Sequence, residues 1–372
     1  MEKNIIGYVK SCMKTFTQSK FNDIDSLVLS QLLYMKFECA AKEHFELGKS
    51  VKIKELLKAE VLDEMSSGYW EKYAEQNQNL LYLLAGSPRF RDVEISDYQS
   101  ILEIENEMQF AAATFGIEKD LCYVAFRGTD TSFVGWKEDF NMAFITPVPA
   151  QEKAVEYINY IGHKYKKQIR VGGHSKGGNL SIYAAMFCED EIREQIESVY
   201  SHDGPGFPEK IYKSQGYKAI KSKIRKTIPQ SSLVGLMLEY QEDYSVIKSK
   251  NLGIMQHNLF SWIVENEKLI SIKKVKNSAY LRDKALNEWI QNLTKEEREE
   301  MVTVLHEILN ASGKDFFDFT KDWQKSVSSI IDNIKNMNDE TKENMNKIIK
   351  QLIKGYMKTV QNSLIEKTPF RQ

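Results

Sequence analysis

The five residues from Gly173 to Gly177 restrict the fold more than any other part of the chain. They lie in Ile169-Arg170-Val171-Gly172-Gly173-His174-Ser175-Lys176-Gly177-Gly178-Asn179-Leu180 and match the G-x-S-x-G pattern of a nucleophile elbow. The demand behind the pattern is steric. A serine on a sharp strand-to-helix turn is strained, and side chains two residues away on either side collide there. Glycine at both places removes the collision. The bare pattern arises by chance about one time in ten in a chain of this length, so context decides. Lys167 to Gly172 can form a short strand. Asn179 to Phe187 reads as a helix with Leu180, Tyr183, Ala184 and Phe187 on one face. The serine therefore has a strand before it and a helix after it.

The rest of the chain divides into three regions. Residues 1–105 read as a mainly helical N-terminal region packing on the core, with helical spacing over Ile24 to Phe37 and again over Lys52 to Met65. Residues 106–268 alternate strands and helices. Gln109–Ile117 and Leu121–Gly128 make a hairpin around Glu118-Lys119-Asp120, and a helix follows over about 150–166. Further strands fall at Glu197–His202, Lys223–Ile228 and Tyr244–Ser249. The expected fold class is α/β: a mostly parallel sheet of the α/β-hydrolase type with helices on both faces, plus helical N- and C-terminal regions. Residues 269–372 read as the C-terminal helical region, with Met301, Val304, Leu305, Ile308 and Leu309 at helical spacing.

Composition limits the classes of function. The 372 residues carry 51 basic and 52 acidic side chains, a balance that gives no bulk attraction to nucleic acid or an anionic membrane. The four cysteines, Cys12, Cys39, Cys122 and Cys188, are scattered and form no C-x-x-C pair, which points to a reducing, cytoplasmic setting rather than a disulfide framework. No stretch approaches the roughly 20 apolar residues of a membrane span, and the N-terminus does not read as a signal peptide. No cofactor and no metal are expected, for want of a ligand cluster with suitable spacing.

A serine hydroxyl needs a base to take its proton, and the six histidines allow elimination. His44 and His163 precede the elbow in expected helices. His174 adjoins the serine and should point elsewhere. His202 adjoins the best acid, and His306 sits in an apolar-periodic helix. His257, in a loop-like stretch after the last core strand, remains as the base. For the acid, Asp190 lies in a charged helix end and Asp243 at the wrong end of a strand. Asp203 follows a strand directly, where catalytic groups of open α/β sheets gather. The oxyanion then needs two donors: the backbone N–H of Lys176, and Thr129 in the Phe126-Arg127-Gly128-Thr129 turn. The Lys176 ammonium is expected either to favour an anionic substrate or to point into solvent. The apolar run Leu233, Val234, Leu236, Met237 and Leu238 is read as pocket, lid or plain core.

Phe126-Arg127-Gly128-Thr129, Trp136-Lys137-Glu138-Asp139-Phe140 and Gly173-His174-Ser175-Lys176-Gly177-Gly178-Asn179 together resemble the class 3 lipases. More closely they resemble a bacterial family of lipase-like α/β-hydrolases with no assigned substrate. The resemblance covers roughly residues 90–265. It implies Ser175 as nucleophile, Thr129 as oxyanion donor and His257 as base. Class 3 lipases commonly carry the acid in an Asp-x-Val-Pro segment, whereas Ile228–Gly235 here has no aspartate. Either Asp203 takes the role one strand earlier, or the acid is weak or absent.

The expected activity is cleavage of a carboxylic ester, lipid-like or small, through an acyl-enzyme on Ser175, His257 and Asp203. The alternatives are an acyltransferase or thioesterase, or a weak or inactive hydrolase fold serving as a binding or regulatory module. In the last case the helical ends would meet a protein partner.

Overall fold

The computed structural model describes residues 2–67, 73–130, 132–142, 145–232, 234–238 and 243–273, with residues 293, 294, 296, 297 and 343 as isolated positions. These fall almost wholly in one compact unit, residues 1–252 and 256–274. The C-terminal helical region expected over 269–372, with His306, lies outside the described residues apart from those positions and the segment to 273.

The N-terminal part contains α1 (Ile5–Ser11), α2 (Asp23–Leu32), α3 (Glu38–Glu46), β1 (Val51–Lys52), α4 (Leu62–Ser67) and α5 (Ala74–Gly86). Then come β2 (Glu94–Glu103), β3 (Met108–Glu118), β4 (Leu121–Phe126), α6 (Phe133–Asn141) and α7 (Pro149–Tyr165). The elbow region follows as β5 (Gln168–His174), α8 (Lys176–Phe187), α9 (Asp190–Gln195) and β6 (Ile196–His202). The remainder is α10 (Glu209–Tyr212), α11 (Gln215–Ile220), β7 (Ile224–Pro229), β8 (Tyr244–Ile247), β9 (Val264–Glu265), β10 (Lys268–Leu269) and β11 (Ser271–Ile272). Nine strands form one sheet in the order β1-β2-β3-β4-β5-β6-β7-β8-β11. Its central strands β4 to β8 are parallel, and antiparallel pairs flank them on both sides. This is an α/β fold of the hydrolase type.

The strand order has a structural consequence. Parallel neighbours taken in sequence order, joined by right-handed crossovers, place every connecting helix on one face. The burial follows this rule. Cys122, Val124 and Phe126 of β4 pack with Ala154, Ile158, Leu180 and Ala184 of α7 and α8. The alternate residues Tyr123 and Ala125 point the other way and pack with Leu27, Val28, Leu32 and Leu81 of the N-terminal helices. So helices do cover both faces, but the second layer is the N-terminal region. Gly172 allows this layer to approach: a Cβ there would lie 2.5 Å from the Tyr123 hydroxyl and 3.0 Å from Ser26 Oγ.

A buried ion pair organises that layer. The Arg89 guanidinium donates to both Asp25 oxygens, at 2.7 and 2.6 Å. It also donates to the carbonyls of Lys14, Thr15, Ser19 and Lys20, and Tyr8 donates its hydroxyl to Asp25 at 2.9 Å. The loop between α1 and α2 is wound around one arginine.

Two local readings change. The stretch to about residue 105 is not helical throughout, because Glu94–Glu103 pairs with β3 as a long strand. Its residues are mostly half-buried, so it lacks the clean alternation that marks a strand. The apolar spacing over Lys52–Met65 is split into two 3-10 turns and the short α4, since Val51 and Lys52 pair with Ile95 and Glu94.

Candidate active site

Strand β5 ends at His174, and Ser175 sits at the N-cap of α8 with φ 59° and ψ −132°. A non-glycine residue in this region costs about 1–3 kcal/mol. The surroundings impose it. Ser175 donates its N–H to the carbonyl of His202 at the end of β6, at 2.9 Å. The flanking glycines let the end of β4 press against the turn: a Cβ on Gly177 would stand 2.1 Å from the Phe126 carbonyl oxygen, and one on Gly173 would stand 2.4 Å from the Gly177 carbonyl carbon. No side chain fits either place.

Asp203 follows β6 directly, and its N–H donates to the Thr227 carbonyl of β7 at 2.7 Å. His257 ends the 3-10 turn Gly253–His257. The structure brings these two residues together: His257 Nδ1 and Asp203 Oδ2 are 2.6 Å apart, with the carboxylate almost fully buried. The other carboxylate oxygen accepts from the Ser232 hydroxyl at 2.5 Å and from the Gly235 N–H at 3.1 Å. The segment without an aspartate thus supplies donors to Asp203. Of the apolar run beside it, Leu236 and Leu238 are buried, and Leu233 lies outside the described residues.

His174, the residue before the serine, packs on His257, a role the sequence reading did not give it. Its Nε2 is 2.9 Å from the His257 carbonyl oxygen, which can only accept, so Nε2 carries the proton. Its Nδ1 then accepts from the Tyr34 hydroxyl at 3.0 Å. The His174 and His257 rings lie 4.3 Å apart. Burial, with His257 and His202 nearby, holds the His174 imidazole well below the ordinary histidine range. It is therefore a neutral prop under the His257 ring. His202 is turned toward α2, with Ser26 Oγ at 2.9 Å and Thr227 Oγ1 at 2.8 Å, and burial pushes it down to about 3. His44 is exposed. His163 faces Glu189 at 2.9 Å and Glu191 at 3.3 Å through its two ring nitrogens, all three residues being exposed.

The loop carrying Thr129 lies against the elbow, since a Cβ on Gly128 would be 3.1 Å from Ser175 Cβ. The Thr129 hydroxyl is donated to Asp139 Oδ2 on α6. Lys176 departs from both expectations for its side chain. The ammonium neither reaches solvent nor faces a substrate; it donates to Glu138 Oε2 at 2.5 Å and to the Gln109 carbonyl at 2.6 Å. Its stem spans from the first position of α8 to Gln109, near the start of β3. The Lys176 N–H occupies the first helical position of α8, where no intrahelical acceptor exists.

Asp139 was also missed. Burial pushes its carboxyl up to about 6, partly offset by the Lys176 charge. The unfolded chain releases this proton near 3.8, so between there and about 6 the native state holds one proton more. The Asp139 contribution to stability should therefore fall as pH rises through that window and level off above it. Asp139→Asn should remove this component and gain on the order of a few kcal/mol at pH 8 relative to pH 4. Urea midpoints measured across pH 4 to 8 check it; parallel curves for the two proteins would refute it.

Among the described residues no helix is long and apolar enough to cross a membrane. No curated protein matches the chain. Solved structures similar to it include the Rhizomucor miehei lipase propeptide complex, at 12% identity over 60% of this chain and 85% of that one, with TM-score 0.34. The M37 lipase shows 14% identity over 65% and 82%, with TM-score 0.35. Lipase II from Rhizopus niveus shows 15% over 62% and 92%, with TM-score 0.32. Residues 84–307, more than half of the sequence, match the Mbeg1-like family, and the chain belongs to that lipase-like family.

Proposed function

We propose that this protein is a serine hydrolase that cleaves carboxylic esters through an acyl-enzyme. The observation that carries the reading is the 2.6 Å contact between His257 Nδ1 and Asp203, with the His257 ring 4.3 Å from that of His174, the residue before the strained Ser175. A carboxylate at Nδ1 leaves Nε2 as the acceptor for a hydroxyl proton and stabilises the imidazolium that forms. Ser175 Oγ attacks the ester carbonyl carbon while His257 takes its proton. The carbonyl oxygen becomes an oxyanion held by the N–H groups of Lys176 and Thr129. Collapse breaks the bond to the alcohol oxygen, which leaves with the proton from His257. Water repeats the cycle on the acyl-enzyme and releases the carboxylic acid. The substrate is a lipid-like or small ester, and the four free cysteines suit action in the cytoplasm.

Incubation with a fluorophosphonate should give one adduct per chain, located on Ser175 by peptide mass spectrometry. A p-nitrophenyl ester series of increasing acyl length should show turnover that Ser175→Ala abolishes. Failure of the folded protein to form the adduct would overturn the reading, and turnover retained by Ser175→Ala would mean that another group is the nucleophile.

A further inference from the structure

The two groups that would hold the oxyanion come from separate pieces of chain. One is the backbone N–H of Lys176 at the start of α8; the other belongs to Thr129, in the loop between β4 and α6. An oxyanion site works only when both donors converge on one oxygen at about 2.7–3.1 Å, and an error of about 0.5 Å is already harmful. Something must fix α6 and its loop relative to α8.

Lys176 makes that connection itself. Its backbone is one donor, and its side chain ends on Glu138 of α6, at 2.5 Å, with both side chains 1% exposed. Glu138 is tied down from two further directions, by the N–H of Gln109 on β3 at 3.0 Å and the N–H of Ala150 on α7 at 2.8 Å. The next residue, Asp139, accepts the Thr129 hydroxyl. A continuous path therefore runs from the Lys176 backbone along its stem, across the ion pair, and through Glu138 and Asp139 to Thr129. Removing two charges from water is costly, and a well-packed apolar pair of similar volume is often as stable or more so. Stability alone gives no reason for a buried lysine directly after the serine.

We propose that the Lys176–Glu138 ion pair sets the spacing of the two oxyanion donors, so that both are positioning residues for ester hydrolysis. The proposal rests on the ester-hydrolase reading above. The experiment compares Lys176→Met, Glu138→Gln and the double variant Lys176→Met/Glu138→Met. Active sites are first titrated with the fluorophosphonate, so that rates refer to correctly folded protein. Each single variant should lower kcat per titrated site by about 10- to 100-fold, with KM within about twofold of the unchanged chain. The double variant should be no worse than the worse single one, because both cut the same link. Affinity for a trifluoromethyl ketone, which forms the oxyanion on Ser175, should fall by the same factor as kcat/KM.

A merely structural pair would lower the melting temperature and leave kcat per titrated site within twofold; that result would overturn the proposal. If the single variants fail to fold, the double variant decides, since it removes both charges of the pair together. Full kcat in it refutes the proposal, and a 10- to 100-fold loss supports it. An unchanged chain that neither labels nor turns over ester overturns the hydrolase reading and this inference with it. An active unchanged chain with a fully active Lys176→Met overturns this inference alone.

Discussion

Asp203→Asn is expected to lower kcat about ten-thousand-fold while leaving the fold intact. The hydrogen bonds around the carboxylate set the outcome. Oδ1 accepts from Ser232 and from the Gly235 N–H, so an asparagine keeps its carbonyl oxygen there. Its NH2 group is then directed at His257 Nδ1, where the carboxylate now lies at 2.6 Å. An NH2 group donates, so Nδ1 must accept and the ring proton moves to Nε2. That tautomer cannot take a proton from Ser175. Because volume and the two supporting hydrogen bonds are retained, the melting temperature should change little. Steady-state turnover of a p-nitrophenyl ester and the rate of fluorophosphonate labelling should fall together. Turnover within about tenfold of the unchanged protein would remove Asp203 from the mechanism and leave a serine–histidine dyad.

The largest stability effect is expected from the N-terminal layer. Arg89→Met should cost about 3–5 kcal/mol, the usual penalty for removing one partner of a buried ion pair. The substitution leaves the Asp25 carboxylate inside the protein, together with four backbone carbonyls that now accept from the guanidinium. Asp25 is also part of the cap of α2, taking the Asn22 N–H at 2.8 Å, so the loss reaches the helix that packs on β4 and β5. Urea unfolding followed by circular dichroism measures it through the midpoint at constant slope. The double variant Asp25→Asn/Arg89→Met should recover part of the loss, because no unpaired charge remains. A midpoint for Arg89→Met equal to that of the unchanged protein would show that the pair contributes nothing net.

Much of the site can be read in the chain because the turn leaves a short, fixed spacing of glycines around its serine. Gly173 must clear Gly177 within the turn itself, whereas Gly177 must clear Phe126 at the end of β4, a long-range contact that the same spacing records. The pairing of His257 with Asp203 followed from chain order and from the small number of histidines. The supports of that pair were hidden for a physical reason. Ser232 and Gly235 reach Asp203 only because β6 and β7 are neighbours, a long-range fact. Tyr34 and His174 meet across the N-terminal layer, and nothing in the spacing of Leu32, Leu33 and Met35 marks the tyrosine among them. Asp139 left a signal that went unread: Glu138 and Asp139 stand together in Phe133-Val134-Gly135-Trp136-Lys137-Glu138-Asp139-Phe140, which is apolar apart from them and Lys137, and acids that interrupt a packed helix are expected to have partners. The long strand β2 was missed because its half-buried residues present no clean period of two.

The monotonic strand order carries a consequence for how the chain is made. Tyr123, Ala125 and Tyr200 on the back of the sheet pack with the N-terminal helices, and all three follow those helices in the chain. At a synthesis rate of about 5–20 residues per second, α1 and α2 leave the ribosome seconds before β4, β5 and β6 exist to receive them. During that interval Leu27, Val28, Leu32 and Leu33 have no sheet to cover. This layer is thus made before the sheet that it covers. Until it closes on the completed strands, its apolar faces are open to other chains, and nascent chains of this protein are exposed to aggregation over that interval.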